Sequence, residues 1–221
     1  MDIDHQRPAP DEGPHLPLSV ALREGSADEH RRAEGSAFVG DLLAGRATAN
    51  QYAGYLQRLR VVYAALEAAL RAHRAHPAVA AVYDEDLART EALDLDLDHW
   101  APGDRPAASP AAVAYRDRIE TAAAVPELLV AHHYTRYLGD LSGGRMLAHA
   151  LRAARDGDDV GLAFYDFPAV PKPVPYKRDY RDRLDALPLT GAQRRALVEE
   201  VRLAFRLNRG LLDEVASPAP A

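Results

Sequence analysis

The chain has 221 residues, 48% of them hydrophobic, with 27 Lys and Arg against 33 Asp and Glu, a formal net charge of -6 and no cysteine. That content suits one large domain or two small ones; the acidic balance argues against nucleic-acid binding, and the lack of cysteine excludes disulfides, a thiolate nucleophile and an iron–sulfur cluster. No basic start with an apolar run marks a secretory signal, and no stretch reaches the ~18 apolar residues of a membrane helix, so a soluble, cytoplasmic protein is expected.

Residues 1–17, rich in Pro, Asp and Gly, and the closing "ASPAPA" at 216–221 are expected to be disordered tails around a domain of residues 18–215. A helical segment fits 18–43. Within it, "SADEHRRAEG" sets His30 and Glu34 one turn apart, so Glu34 can hold the Nδ1–H of His30 and leave Nε2 for a metal. A plain surface pair is the commoner outcome of that spacing. Arg23 lies two turns before His30 on the same face, and "SADE" matches a capping box, which allows a break near Gly25.

The next segment, "NQYAGYLQRLRVVYAALEAALRAH", aligns Tyr52, Tyr55, Leu56, Leu59, Val62, Tyr63, Leu66 and Leu70 on one helical face, with Thr48 as N-cap and Pro77 closing the region. Shorter helices fit 84–98, 110–123 and 175–186. A long helix is expected to start near Pro126 and run to about Arg155, and a last one follows Thr190 with Leu197, Val201, Phe205, Asn208 and Leu212 in a stripe. The connector "GLAFYDFPAVPKPVP" is expected to be ordered. Nothing alternates at period two, so the fold class is all-α, in a single domain.

The stretch "HHYTRYLGDLSGGRML" puts Gly139, Gly143 and Gly144 into a helix, where each glycine is unfavourable by roughly 1 kcal/mol relative to alanine. Gly139 and Gly143 share a face; Gly144 lets the helix bend there. Such a strip marks either a close helix–helix crossing or a flat ligand lying on bare backbone. Arg136 is one turn before Asp140, so the two can pair; a solvated surface pair is the plain alternative. In "YKRDYRDR", Lys177 and Arg181 can receive one anionic group together.

"LLVAHHYTRYLGDLSGGRML" closely resembles the signature of the haem oxygenase family. "LREGSADEHRRAEGSAFVGDLLAG", "VVYAALEAAL", "EDLARTEALDLDLDHW", "GLAFYDFP" and "AFRLNRGLLDEV" match further family blocks in order. The resemblance implies a multi-helix fold with haem held between a proximal helix and a kinked distal helix. His30 is then the axial iron ligand with Glu34 as its partner, and Arg23, Tyr134, Lys177 and Arg181 meet the propionates. Thr135, Gly144 and Phe205 join the haem-binding set. Gly139, Gly143, Asp140 and Arg136 form the catalytic distal side. By the same resemblance haem is both cofactor and substrate, opened at the α-meso carbon with O2 and outside electrons to biliverdin, CO and Fe2+.

No flavin or iron–sulfur motif is visible, so the resemblance implies an external donor such as a ferredoxin or a flavoprotein reductase. Arg145, Arg152, Arg155, Lys177, Arg178 and Arg183 are expected to form its basic docking face. Arg23 replaces a lysine of the mammalian members, whose membrane anchor is also missing, which implies a bacterial-type enzyme. Two other readings compete. A non-catalytic haem carrier or sensor would need neither Asp140 nor the glycine strip. A di-metal carboxylate bundle would need Glu-x-x-His pairs, and the only match is Glu12 to His15 in the proline-rich tail.

Overall fold

The computed structural model describes residues 16–103 and 109–216, and all regular structure among them is helical. Of the expected tails at 1–17 and 216–221, residues 1–15, with Glu12 and His15, and 217–221 lie outside the described residues, and Ala216 is the last residue of the final helix. In chain order the helices are α1 Leu18–Gly25, α2 Ala27–Glu34, α3 Ala37–Leu43, α4 Ala49–Ala72, α5 Pro77–Ala80 and α6 Thr90–Trp100. They continue with α7 Pro110–Ala122, α8 Leu129–Gly139, α9 Arg145–Ala153, α10 Pro173–Asp185 and α11 Gly191–Ala216. A π-helical turn, Asp140–Gly144, joins α8 to α9.

The two longest helices are the frame, and both begin as the sequence indicates. Thr48 and Gln51 form a reciprocal capping box at the head of α4, and Thr190 and Gln193 repeat it at α11. From α4 the stripe Tyr52, Leu56, Leu59, Val62, Tyr63, Leu66 and Leu70 is buried against α6 and α7. From α11, Leu197, Val201, Ala204 and Phe205 are buried, with α8, α7, α3, α2 and α1 packed around this helix. α8 therefore lies between two apolar clusters, one centred on α4 and one shared by α1, α10 and α11.

Three expected helices are divided. Residues 18–43 form three helices: at the first break Ser26 turns its hydroxyl back onto the Leu22 carbonyl at 2.8 Å instead of capping α2, and at the second Ser36 caps α3. Gly25 seats the first junction: a Cβ there would lie 2.5 Å from Val198 Cγ1 on α11. The segment expected from Pro126 to Arg155 is a 3₁₀ turn at Pro126–Leu128, then α8, the π turn and α9. The 84–98 helix is a 3₁₀ turn at Glu85–Leu87 followed by α6, and Pro77 opens α5 rather than closing the region.

The connector after α9 is ordered by polar anchors. Asp96 accepts the Ala163 and Phe164 amides at 2.7 and 2.8 Å, Trp100 Nε1 donates to Gly161 O at 2.8 Å, and the Arg89 guanidinium sits 3.9 Å over Phe167. Gly161 has φ +77 and Trp100 Nε1 just 2.4 Å from where a Cβ would stand, so only glycine fits.

Helices α7, α8 and α11 are tied by one buried carboxylate. His132 Nε2 donates to Glu200 Oε1 at 2.8 Å, and Arg118 Nε reaches the same oxygen at 2.8 Å. Burial alone would raise the Glu200 carboxyl, but hydrogen bonds from His132 and Arg118 hold it at about 2, against an ordinary 4.5. A depressed folded value means that this stabilisation is complete above pH 4.5 and is lost as the pH falls toward 2. Glu200→Gln should flatten the acid limb of the stability profile by on the order of 2 kcal/mol. Urea unfolding at stepped pH measures this; parallel wild-type and variant limbs would refute it.

Candidate functional site

The distal segment carries a buried polar centre built from three helices. Arg136 of α8 is enclosed. Its Nε donates to the Tyr63 hydroxyl of α4 at 3.1 Å, one terminal nitrogen to Asn208 Oδ1 of α11, and the other to Asp140 Oδ1 at 3.3 Å. Tyr63 in turn donates to Asp140 Oδ2. Burial pushes the Asp140 carboxyl up from its ordinary value, while Arg136 and the Tyr63 hydrogen bond pull it back. The solvated Asp–Arg pair is thereby excluded: both side chains are more than nine-tenths buried.

The glycines separate into two kinds. A Cβ at Gly139 or at Gly143 would meet nothing within 4 Å, so no neighbouring helix crosses there, and the strip faces open space. Gly144 differs: its Cβ would stand 3.2 Å from the Tyr165 ring, so this glycine is bare to fit Tyr165. Neither does Gly144 act as a simple bend, since the irregularity is the whole π turn from Asp140. Thr135 is likewise internal, its hydroxyl donating to Ala131 O at 2.9 Å.

His30 stands half exposed on α2, with Nδ1 3.5 Å from Glu34 Oε2 and its ring edge-on to Phe205 of α11, 5.3 Å between centroids. Among the described residues Nε2 has no partner. Tyr134 of α8 is largely buried, which raises its hydroxyl, and the nearby Arg181 and Arg23 oppose that rise. Lys177 donates to Ser142 of the π turn at 2.9 Å; burial lowers its ammonium from the ordinary value, and Arg181 and Arg145 lower it further. Cations from α1 and α10 thus flank Tyr134, while the imidazole and Phe205 mark the α2–α11 side. A partly burnt-in donor set of this kind, one free imidazole nitrogen, bare backbone and several cations, fits a flat anionic metal complex. Among the described residues no three His, Asp or Glu side chains converge to hold an ion by themselves.

The expected basic face is weaker than its composition. Arg152, Arg155 and Arg178 pair with Asp159, Asp158 and Asp179, and Arg183 donates to Ala81 O. Arg145 and Lys177 keep no carboxylate partner among the described residues. The sequence pattern did not single out Tyr63 as polar or Asn208 as an acceptor. The available signals were a tyrosine and an asparagine within otherwise apolar stripes, since a buried polar tip requires a partner.

Open space at two glycines and a wall at the third predict opposite effects in the ligand-free protein. Gly139→Ala should leave stability unchanged or raise it by up to about 1 kcal/mol through helix propensity. Gly144→Leu should lower it by roughly 1–3 kcal/mol through overpacking. Chemical denaturation of both variants is the check, and a destabilised Gly139→Ala would mean that the strip is occupied by protein.

Comparison with known proteins agrees with this geometry. The family model described as heme oxygenase matches residues 16–214. Heme oxygenase 2 of Synechocystis sp. is 40% identical over 208 residues, which cover 90% of this chain and 82% of that protein. Human heme oxygenase 1 is 38% identical over 95% of this chain and 75% of its own length. The crystal structure of cyanobacterial heme oxygenase-1 in complex with heme superposes with a TM-score of 0.86 at 36% identity, covering 90% of this chain and 92% of that one. With the open glycine strip, the free imidazole and this extent of similarity together, the chain belongs to the haem oxygenase family.

Proposed function

We propose that this protein is a haem oxygenase that binds haem between α2 and the distal segment and opens the ring at the α-meso carbon. The products are biliverdin, CO and Fe2+. The observation that carries the reading is the glycine strip: Gly139 and Gly143 face open space where a helix would otherwise gain from side chains. Bound haem supplies the iron at which O2 is reduced by electrons from outside.

His30 is the residue to hold the iron through Nε2, with Glu34 at Nδ1 fixing the tautomer and the ring plane. Phe205 supports the imidazole edge. Arg23, Tyr134, Lys177 and Arg181 receive the propionates, and charge-assisted bonds there set the rotation of the substrate in its plane. Gly139 and Gly143 let backbone approach the ring, so the reacting edge is chosen sterically. Gly144 and Thr135 position that backbone from behind. Asp140 holds and passes protons through water at the distal face, while Arg136 and Tyr63 keep its carboxylate in place.

Reducing equivalents come from an external partner such as a ferredoxin or a flavoprotein reductase. It docks on the basic rim of Lys177, Arg178 and neighbouring arginines, where surface pairs are weak enough to exchange. A cytoplasmic setting supplies such donors. Among the described residues no helix is long and apolar enough to cross a membrane.

The direct test is to add one equivalent of haemin and then ascorbate, and to follow loss of the haem spectrum and appearance of biliverdin. A stable haem complex that never yields biliverdin would instead make the protein a carrier. Both Asp140→Asn and Asp140→Ala remove the counter-charge of the buried Arg136, but the asparagine keeps an amide oxygen to accept from Tyr63 or Arg136 and is the milder variant. It should bind haem normally and form biliverdin on the order of 10²-fold more slowly, the scale of losing one preorganised polar contact. A wild-type rate in a folded, haem-loaded variant removes Asp140 from the mechanism. The double variant Lys177→Ala with Arg181→Ala should release the in-plane orientation and give mixed biliverdin isomers by chromatography. A single unchanged isomer would reassign the propionates to other cations.

A further inference from the structure

Lysine occurs twice in the chain, at Lys172 and Lys177, both near the start of α10. Lys177 reaches across to the π turn, where its Nζ donates to Ser142 Oγ at 2.9 Å. This is the one hydrogen bond between α10 and the π turn among the described residues. The other polar ties of α10 run elsewhere. Asp185 accepts from the Ser19 amide and hydroxyl of α1 at 2.7 and 2.9 Å, Tyr176 donates to Asp84, and Tyr180 meets His133 of α8 at 2.9 Å.

The π turn is itself held at both ends, by Tyr63 and Arg136 on Asp140 and by the seat of Gly144 under Tyr165. Ser142 lies between those ends and next to Gly143. Its hydroxyl therefore offers the Lys177 ammonium an acceptor on fixed backbone. An ammonium is compact and has three N–H donors. With one spent on Ser142, two remain for an incoming carboxylate, and neighbouring Arg181 and Arg145 leave this corner short of negative charge. A planar guanidinium on a longer stem cannot serve both directions from the same place.

We propose that Ser142 is a positioning residue that holds the Lys177 ammonium beside Gly143. The propionate anchor and the backbone that selects the reacting edge are then referenced to one braced turn. This rests on the reading above, in which haem fills the groove and Lys177 meets a propionate. Without Ser142 the lysine keeps its charge and regains rotamer freedom, so the place of the anchor loosens more than its attraction.

Two measurements test it. With 13C-labelled lysine, the haem-free protein shows two Cε titrations, and Lys172 is the internal control. A hydroxyl acceptor favours the charged ammonium, so Ser142→Ala should lower the Lys177 midpoint and leave Lys172 unmoved. The second measurement follows biliverdin isomers from haem-loaded protein and ascorbate by chromatography. Expected is a single isomer from the wild type and, on the scale of weakening one hydrogen bond to a charged group, a second isomer at about a tenth of the product from Ser142→Ala. Ser142→Thr, which keeps the hydroxyl, should restore the single isomer. Adding Ser142→Ala to Lys177→Ala should mix the product no further than Lys177→Ala alone, because both act through one ammonium. An unmoved Lys177 midpoint, a single isomer from Ser142→Ala, equal mixing in the Ala and Thr variants, or additive mixing in the double variant would each overturn the proposal. A wild type that yields no biliverdin instead removes the haem oxygenase reading, and this inference with it, before any variant is made.

Discussion

A guanidinium cannot shed its proton inside a protein, so burying Arg136 obliges the fold to bring acceptors to it. Tyr63 comes from α4, Asn208 from α11 and Asp140 from the turn after α8. The relative placement of three helices is therefore fixed by one charge. The same contacts immobilise the carboxylate assigned to the chemistry. Two of the lone-pair sites on Asp140 are taken by Tyr63 and Arg136, and a carboxylate has about four, so capacity remains for water. Bracing and the proton handling proposed for Asp140 share one cluster.

The π turn makes that sharing workable. A regular helix would carry the register of α8 unbroken into α9. The wider turn from Asp140 to Gly144 shifts it, so Asp140 faces inward to Tyr63 while Gly143 stays open and Gly144 tucks under Tyr165. Wide turns of this sort inside helices occur often at functional sites. Three glycines that look alike in sequence thus have two surroundings: two face open space and one admits an aromatic ring.

What the sequence revealed follows the range of each interaction. The caps at Thr48 and Thr190 depend on residues three apart and were legible, as were the buried stripes of α4 and α11. The Ser26 break was legible only as an allowance near Gly25. Its hydroxyl could serve α2 or bond back to α1, and a tight seat on Val198, distant in sequence, accompanies the second choice. The π turn has no periodic signature, so 126–155 read as one helix. At Gly139 and Gly143, spacing left a helix crossing and a ligand surface equally open; what lies opposite them is a non-local fact. For Arg136 with Asp140, spacing showed that the two can pair but left a solvated surface pair open as the alternative, because burial by α4 and α11 cannot be counted along α8. The family resemblance, carried by a long uninterrupted block, supplied what spacing could not.

The helix bearing His30 has a different kind of anchorage from the rest. Only Ala33 of α2 is buried, so little apolar area holds it. Besides the edge contact of His30 with Phe205, its ties to α11 are polar: Arg209 donates to Arg32 O at 2.8 Å and Arg206 lies 3.6 Å from Glu29. Segments with few apolar contacts and solvent-facing hydrogen bonds open locally at a small fraction of the global unfolding free energy. The apolar hold on α2 is therefore small beside that on α4, and its amides are expected to exchange with solvent before those of α4.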